Sequence, residues 1–123
     1  MTDAQEEVSI QEIELQMEAY KEAIDRADAL QRLQQNPDFK LIIEEGLFEK
    51  KPAQLVSLKA APGQQDPESQ ARIIKDMDSI GFLQQHFNMI FAFGNAAHEA
   101  LDQAREAVAE MEQEGLDESG GLH

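Results

Sequence analysis

The sequence predicts an all-α fold: an antiparallel helical hairpin of two long helices, with two short helices in the connection. Two observations carry this expectation. Apolar residues recur every three or four positions over two long stretches, which is the period of one helix face. Two start signals, Asn36-Pro37-Asp38 and Asp66-Pro67-Glu68, divide those stretches from a shorter middle segment.

The first stripe is Ile10, Ile13, Met17, Tyr20, Ile24 and Ala27, spaced 3-4-3-4-3, and Leu30 and Leu33 continue it with a slight drift. The intervening Glu, Gln, Lys and Ala residues favour helix, so a first helix is expected from about Val8 to Gln34. Asn36 then suits an N-cap, Pro37 the first helical position and Asp38 the positive end of the helix dipole. The following FKLIIEE reaches Gly46, read as a left-handed C-terminal stop, with Phe39, Ile42 and Ile43 facing inward. A third, short helix is expected over 52–59, presenting Leu55, Val56 and Leu58, and APGQQ at 61–65 reads as a turn.

From Pro67 the pattern is longest. Ile80, Leu83, Phe87, Ile90, Gly94, Ala97, Leu101, Ala104, Val108 and Met111 alternate steps of three and four, a coiled-coil-like seam. The helix is expected to run to near Gln113, with Gly81 and Gly94 as weak points for a kink and Gly94 with Ala97 allowing close helix approach. Antiparallel pairing of 10–27 with 94–111 sets Ile10 near Met111 and Ala27 near Gly94. A second stripe of Phe82, Met89, Phe93, Ala96 and Ala100 lies on another face and needs its own cover, from Phe39, Ile42, Leu55 and Val56 or from a partner. The expected domain plan is a disordered acidic segment at 1–7, a single helical domain at 8–113 and a disordered tail at 114–123.

Composition narrows function. The 123 residues carry a net charge of −15 and no cysteine, which excludes a disulfide framework, a thiolate zinc site and a thiol nucleophile. Residues 1–25 hold eight acids and one base, as do residues 99–118, whereas the middle holds nine acids and eight bases. Phosphate would be repelled by both ends, so no direct nucleic-acid binding is expected. No apolar run approaches membrane-spanning length, and the acidic, polar N-terminus is unlike a secretory or transit signal. An intracellular protein without a membrane partner is the expectation.

No constellation suggests catalysis. His86 and His98 lie twelve residues apart, roughly 120° around a helix, and do not converge. His98 with Asp102 lacks further metal ligands, and Glu44-Glu45 or Glu110, Glu112 and Glu114 lack the alternating oxygen loop of a calcium site. No serine sits in a nucleophile elbow, and no glycine loop could cradle phosphate. Met17, Met77, Met89 and Met111 fall on apolar positions, where core filling is the simpler reading than a promiscuous groove. The expectation is therefore no enzyme, with no catalytic, cofactor or metal residue.

Two features are candidates for binding. One is the apolar set Phe82, Met89 and Phe93, with Phe39 and Phe48 from the connecting segment. The other is an acidic pole of Glu12, Glu14, Glu18, Glu106, Glu110 and Glu112, gathered if the chain forms a hairpin. Such a pole is a solvated face in the plain reading, or a mimic of the phosphate array of DNA that inhibits a host protein.

The stretch LQRLQQNPDFKLIIEEGLFEKKPAQLVSLKA (30–60), with the later IIKDMDSIGFLQQHF (73–87), resembles small helical proteins encoded among the structural genes of tailed bacteriophages. The likeness spans about residues 29–111 and rests on Asn36-Pro37-Asp38-Phe39, Gly46-Leu47-Phe48 and the long last helix. It implies a setting, the virion or the cytoplasm of an infected bacterium, and partners that are phage structural proteins or further copies of the chain. It transfers no functional residues.

Overall fold

The computed structural model describes the backbone of residues 2–120 and the side chains of residues 10–115. Among these residues the chain is helical almost throughout and has no strand. The elements are α1 (Thr2–Gln34), α2 (Pro37–Phe39), a π-helix (Lys40–Lys50), α3 (Lys51–Ala60), a 3₁₀ turn (Pro62–Gln64) and α4 (Pro67–Gly120). Both long helices run past the bounds that apolar periodicity gives, Thr2 instead of Val8 and Gly120 instead of Gln113. Periodicity marks only the part that has something to pack against, whereas Ala4, Gln5, Glu6 and Glu7 at the N-terminal end favour helix with or without a partner. The side chains of most of 1–7 and 114–123, where disorder was expected, lie outside the described residues.

The chain divides into two compact units, one of Met1–Ala27 with Phe91–His123 and one of Asp28–Ile90. In the first, α1 and α4 pack against each other. Ile10, Ile13, Met17, Tyr20, Ile24 and Ala27 are all half-buried, and the residues between them are mostly exposed. The facing stripe of α4 is buried at Gly94, Ala97 and Leu101 and half-buried at Ala104, Val108 and Met111. Gly94 fits where nothing larger would: a Cβ there would collide with the Cβ of Ala27 and lie 3.5 Å from the Ala23 carbonyl oxygen. The expected proximity of Ala27 and Gly94 is thus present, for the expected reason.

In the second unit the core is Leu55, Ile73 and Ile80, with Leu47, Phe48 and Met77 packed around it. Leu30 is buried here, but Leu33 is exposed, so the stripe's drift has carried it off the covered face by that point. Asn36 caps as expected: its Oδ1 accepts from the amides of Asp38 (2.8 Å) and Phe39 (3.3 Å), with Pro37 at the first helical position. Asp66 does the same for α4, its Oδ2 accepting from the amide of Ser69 at 3.0 Å.

The middle of this unit departs from expectation. Gly46 has no positive φ and does not stop a helix. The backbone instead continues through it as an eleven-residue π-helix, which joins α2 to α3 without a break. The amide of Lys51 bonds to the carbonyl of Gly46, five residues back, and the Glu45–Lys50 ion pair (3.1 Å) also spans five. Pro52 supplies a physical reason. It lacks an N–H, and its ring opposes the carbonyl four residues earlier, so a wider turn before it relieves what would be a break in an α-helix. The wider turn also explains Ile42, expected inward but 64% exposed: spacings of three and four no longer mark one face.

Candidate functional site

Five aromatic and methionine side chains were expected at a binding surface, and the structure separates them into two groups. Phe39 and Phe48 are half-buried and hold Phe87 between them, with ring centroids 6.1 and 5.9 Å from it. They belong to the interior of the second unit. Tilted and edge-on rings at such distances gain packing beyond area burial, so these residues hold α4 to α2 and the π-helix.

Phe82 and Met89 lie on the solvent side of the same unit, 73% and 50% exposed, and Phe93 in the first unit is 58% exposed. The cover considered for them, Ile42 and Val56, is itself exposed, and Leu55 is spent on the core. A single exposed apolar side chain is ordinary, but two large ones a heptad apart on one helix of the same unit, Phe82 and Met89, are less so. Around Phe82 the exposed face of α4 is an open, shallow patch of Ala71, Ile74, Lys75, Asp78, Ser79 and Phe82. Ser79 offers little polarity there, because its hydroxyl donates to the carbonyl of Lys75 at 2.8 Å.

The acidic-pole residues Glu12, Glu14, Glu18, Glu106, Glu110 and Glu112 are all exposed and all lie in the first unit. No group of three or more His, Cys, Asp or Glu side chains among the described residues could hold a metal ion. No described helix is long and apolar enough to cross a membrane. His86 has its ring against Phe87, 6.3 Å between centroids, and His98 lies in the other unit.

One titratable group stands apart. Asp66 is held below the usual carboxylate range, first by the hydrogen bond from the buried Ser69 hydroxyl and then by that from the Ser69 amide. Both bonds are capping contacts, so the shift marks a structural carboxylate.

Sequence reasoning missed the latch on the turn between α3 and α4. The side-chain amide of Gln65 donates to the carbonyls of Lys59 (2.9 Å) and Ala61 (2.8 Å), and that of Gln70 donates to Lys59 (2.9 Å) and Gln64 (2.8 Å). The Lys59 carbonyl, near the end of α3, thereby gains two donors. Glutamine is common on helix surfaces, so only the folded geometry distinguishes these two from the others. Comparison with family models, curated proteins and solved structures returned no match to this chain.

Proposed function

We propose that this chain is a non-enzymatic protein-binding protein, a minor virion component or assembly factor of a tailed phage, that docks through the apolar face of α4. The observation that carries the docking is the exposure of Phe82 and Met89 in a unit whose core is already closed by Leu55, Ile73 and Ile80. An apolar side chain left in water at that cost is best accounted for by a protein surface that covers it. The phage setting rests on the sequence resemblance alone.

In this reading α1 and α4 form an antiparallel hairpin through residues 10–27 and 94–111, supported by the approach of Gly94 to Ala27. The two acid-rich ends then share one pole, and docking falls to the near-neutral middle, where repulsion is least. The exposure of all six pole carboxylates favours a second reading, inhibition of a host protein by an acidic face that resembles DNA.

Mass spectrometry of purified particles of the source phage, beside capture from host lysate, tests the two. The assembly reading expects the chain in the particle at a fixed copy number, with binding little changed by salt. Absence from particles and assembly intermediates, with salt-sensitive capture of one nucleic-acid enzyme, would overturn it in favour of inhibition.

A further inference from the structure

We infer that the α4 face lined by Ala71, Ile74, Lys75, Asp78, Ser79 and Phe82 binds a second copy of this chain, as an antiparallel helix pair with two-fold symmetry. The inference rests on the docking reading above and names its partner.

In a two-fold pair, if residue i meets residue j then j meets i, so an isologous face must complement itself. About an axis crossing α4 between Asp76 and Met77, the six lining residues pair as Ala71 with Phe82, Ile74 with Ser79 and Lys75 with Asp78. Any helix face can be centred in this way. What matters is the chemistry that the centring brings together. Phe82, the more exposed of the two large apolar side chains on the face, lands on the smallest, Ala71, which lets a ring lie close to the partner's backbone. Ile74 lands on Ser79, whose hydroxyl is already bonded to its own helix and so presents its methylene side. The positive Lys75 lands on the negative Asp78, twice by symmetry, at the centre of the contact.

A parallel arrangement would instead place Lys75 against Lys75 and Asp78 against Asp78, which like-charge repulsion opposes. The charge distribution along the chain agrees with the choice of occupant. The second unit falls within the near-neutral middle of the sequence, where two copies of a chain of net charge −15 meet with least repulsion. A basic partner would be drawn to the acid-rich ends. The same face offers it one base and one acid, which favour neither sign.

Sedimentation equilibrium of the full chain, with charge variants, tests the pairing. Lys75→Asp and Asp78→Lys each place like charges together at two symmetric points. Each is expected to raise the dimer dissociation constant by on the order of tenfold, given the usual strength of exposed pairs. The double variant Lys75→Asp with Asp78→Lys restores opposite charges and is expected to return association to the level of the unaltered chain. Phe82→Ala is expected to weaken the dimer at least tenfold, with Leu15→Ala, an exposed apolar position in the first unit, as a control that leaves it unchanged. All these positions are exposed, so circular dichroism should report unchanged helix content.

A chain that stays monomeric at the highest attainable concentration overturns the inference, as does a dimer indifferent to Phe82 or not rescued by the charge swap. The docking reading is judged separately, by incorporation into particles. Self-association can therefore fail while docking to another protein stands.

Discussion

At Gly94 a Cβ would meet that of Ala27, whereas at Gly81, thirteen residues earlier on the same helix, it would meet nothing within 4 Å. The same substitution should therefore have opposite effects at the two positions. Gly81→Ala gains helix propensity without a clash and is expected to stabilise by about 0.5–1 kcal/mol in thermal or urea unfolding. Gly94→Ala gains the same propensity but forces two helices apart, which costs about 1–3 kcal/mol, so a net loss is expected. Adding Ala27→Gly to it should recover part of that loss. Asp66 sets a pH dependence. Because its pKa is lower folded than unfolded, its contribution is present above the ordinary carboxylate value and fades as pH falls through the folded value. Asp66→Ala should therefore be less stable than the unaltered chain at neutral pH, with the difference closing in acid. Asp66→Asn keeps the cap and loses the titration.

At the scale of elements, what the sequence revealed depended on whether a feature repeats or is capped. The α1 stripe from Ile10 to Ala27 and the α4 seam from Ile80 to Met111 are covered at every position, because a strict period leaves one face to bury. The caps at Asn36 and Asp66 were legible because their chemistry is local. The π-helix was not. A glycine after a short apolar run has the same appearance whether it ends a helix or sits inside one, and the five-residue spacing of Glu45 and Lys50 is not one that an α-helix would pair. Gly46 tells the difference: a Cβ there would lie 3.2 Å from the Leu41 carbonyl oxygen, five residues back. Gly46→Ala should thus bring none of the stabilisation expected at Gly81, and hydrogen-bond scalar couplings should show amides in 45–51 bonded to carbonyls five residues earlier. Among the missed contacts, Gln70 closes the turn before α4. Gln70→Ala is expected to cost about 1 kcal/mol by chemical denaturation, typical of a lost hydrogen bond.

At the scale of the whole molecule, binding depends on which apolar side chains are core and which await a partner. The candidate surface was half legible in the sequence. The second stripe was visible as a repeat, but periodicity gives the angle of a residue around its helix and not what stands opposite. Phe39, expected both inward and at the binding surface, and Phe48, expected at that surface, are thus placed in the interior by Phe87 between them. The patch around Phe82 escaped notice because Ala71, Ile74, Lys75 and Asp78 mix apolar and charged residues and carry no motif. The most direct test of the central claim compares Phe87→Asp with Phe82→Asp and Phe93→Asp by circular dichroism and thermal melting. Phe87→Asp puts an unpaired charge among packed rings and should lose most of the helix signal, because an uncompensated charge is costly to bury. Phe82→Asp and Phe93→Asp should keep helix content and melt within a few degrees of the unaltered chain. Equal loss of helix in all three would mean that the α4 face is core, and would contradict its assignment as a docking surface.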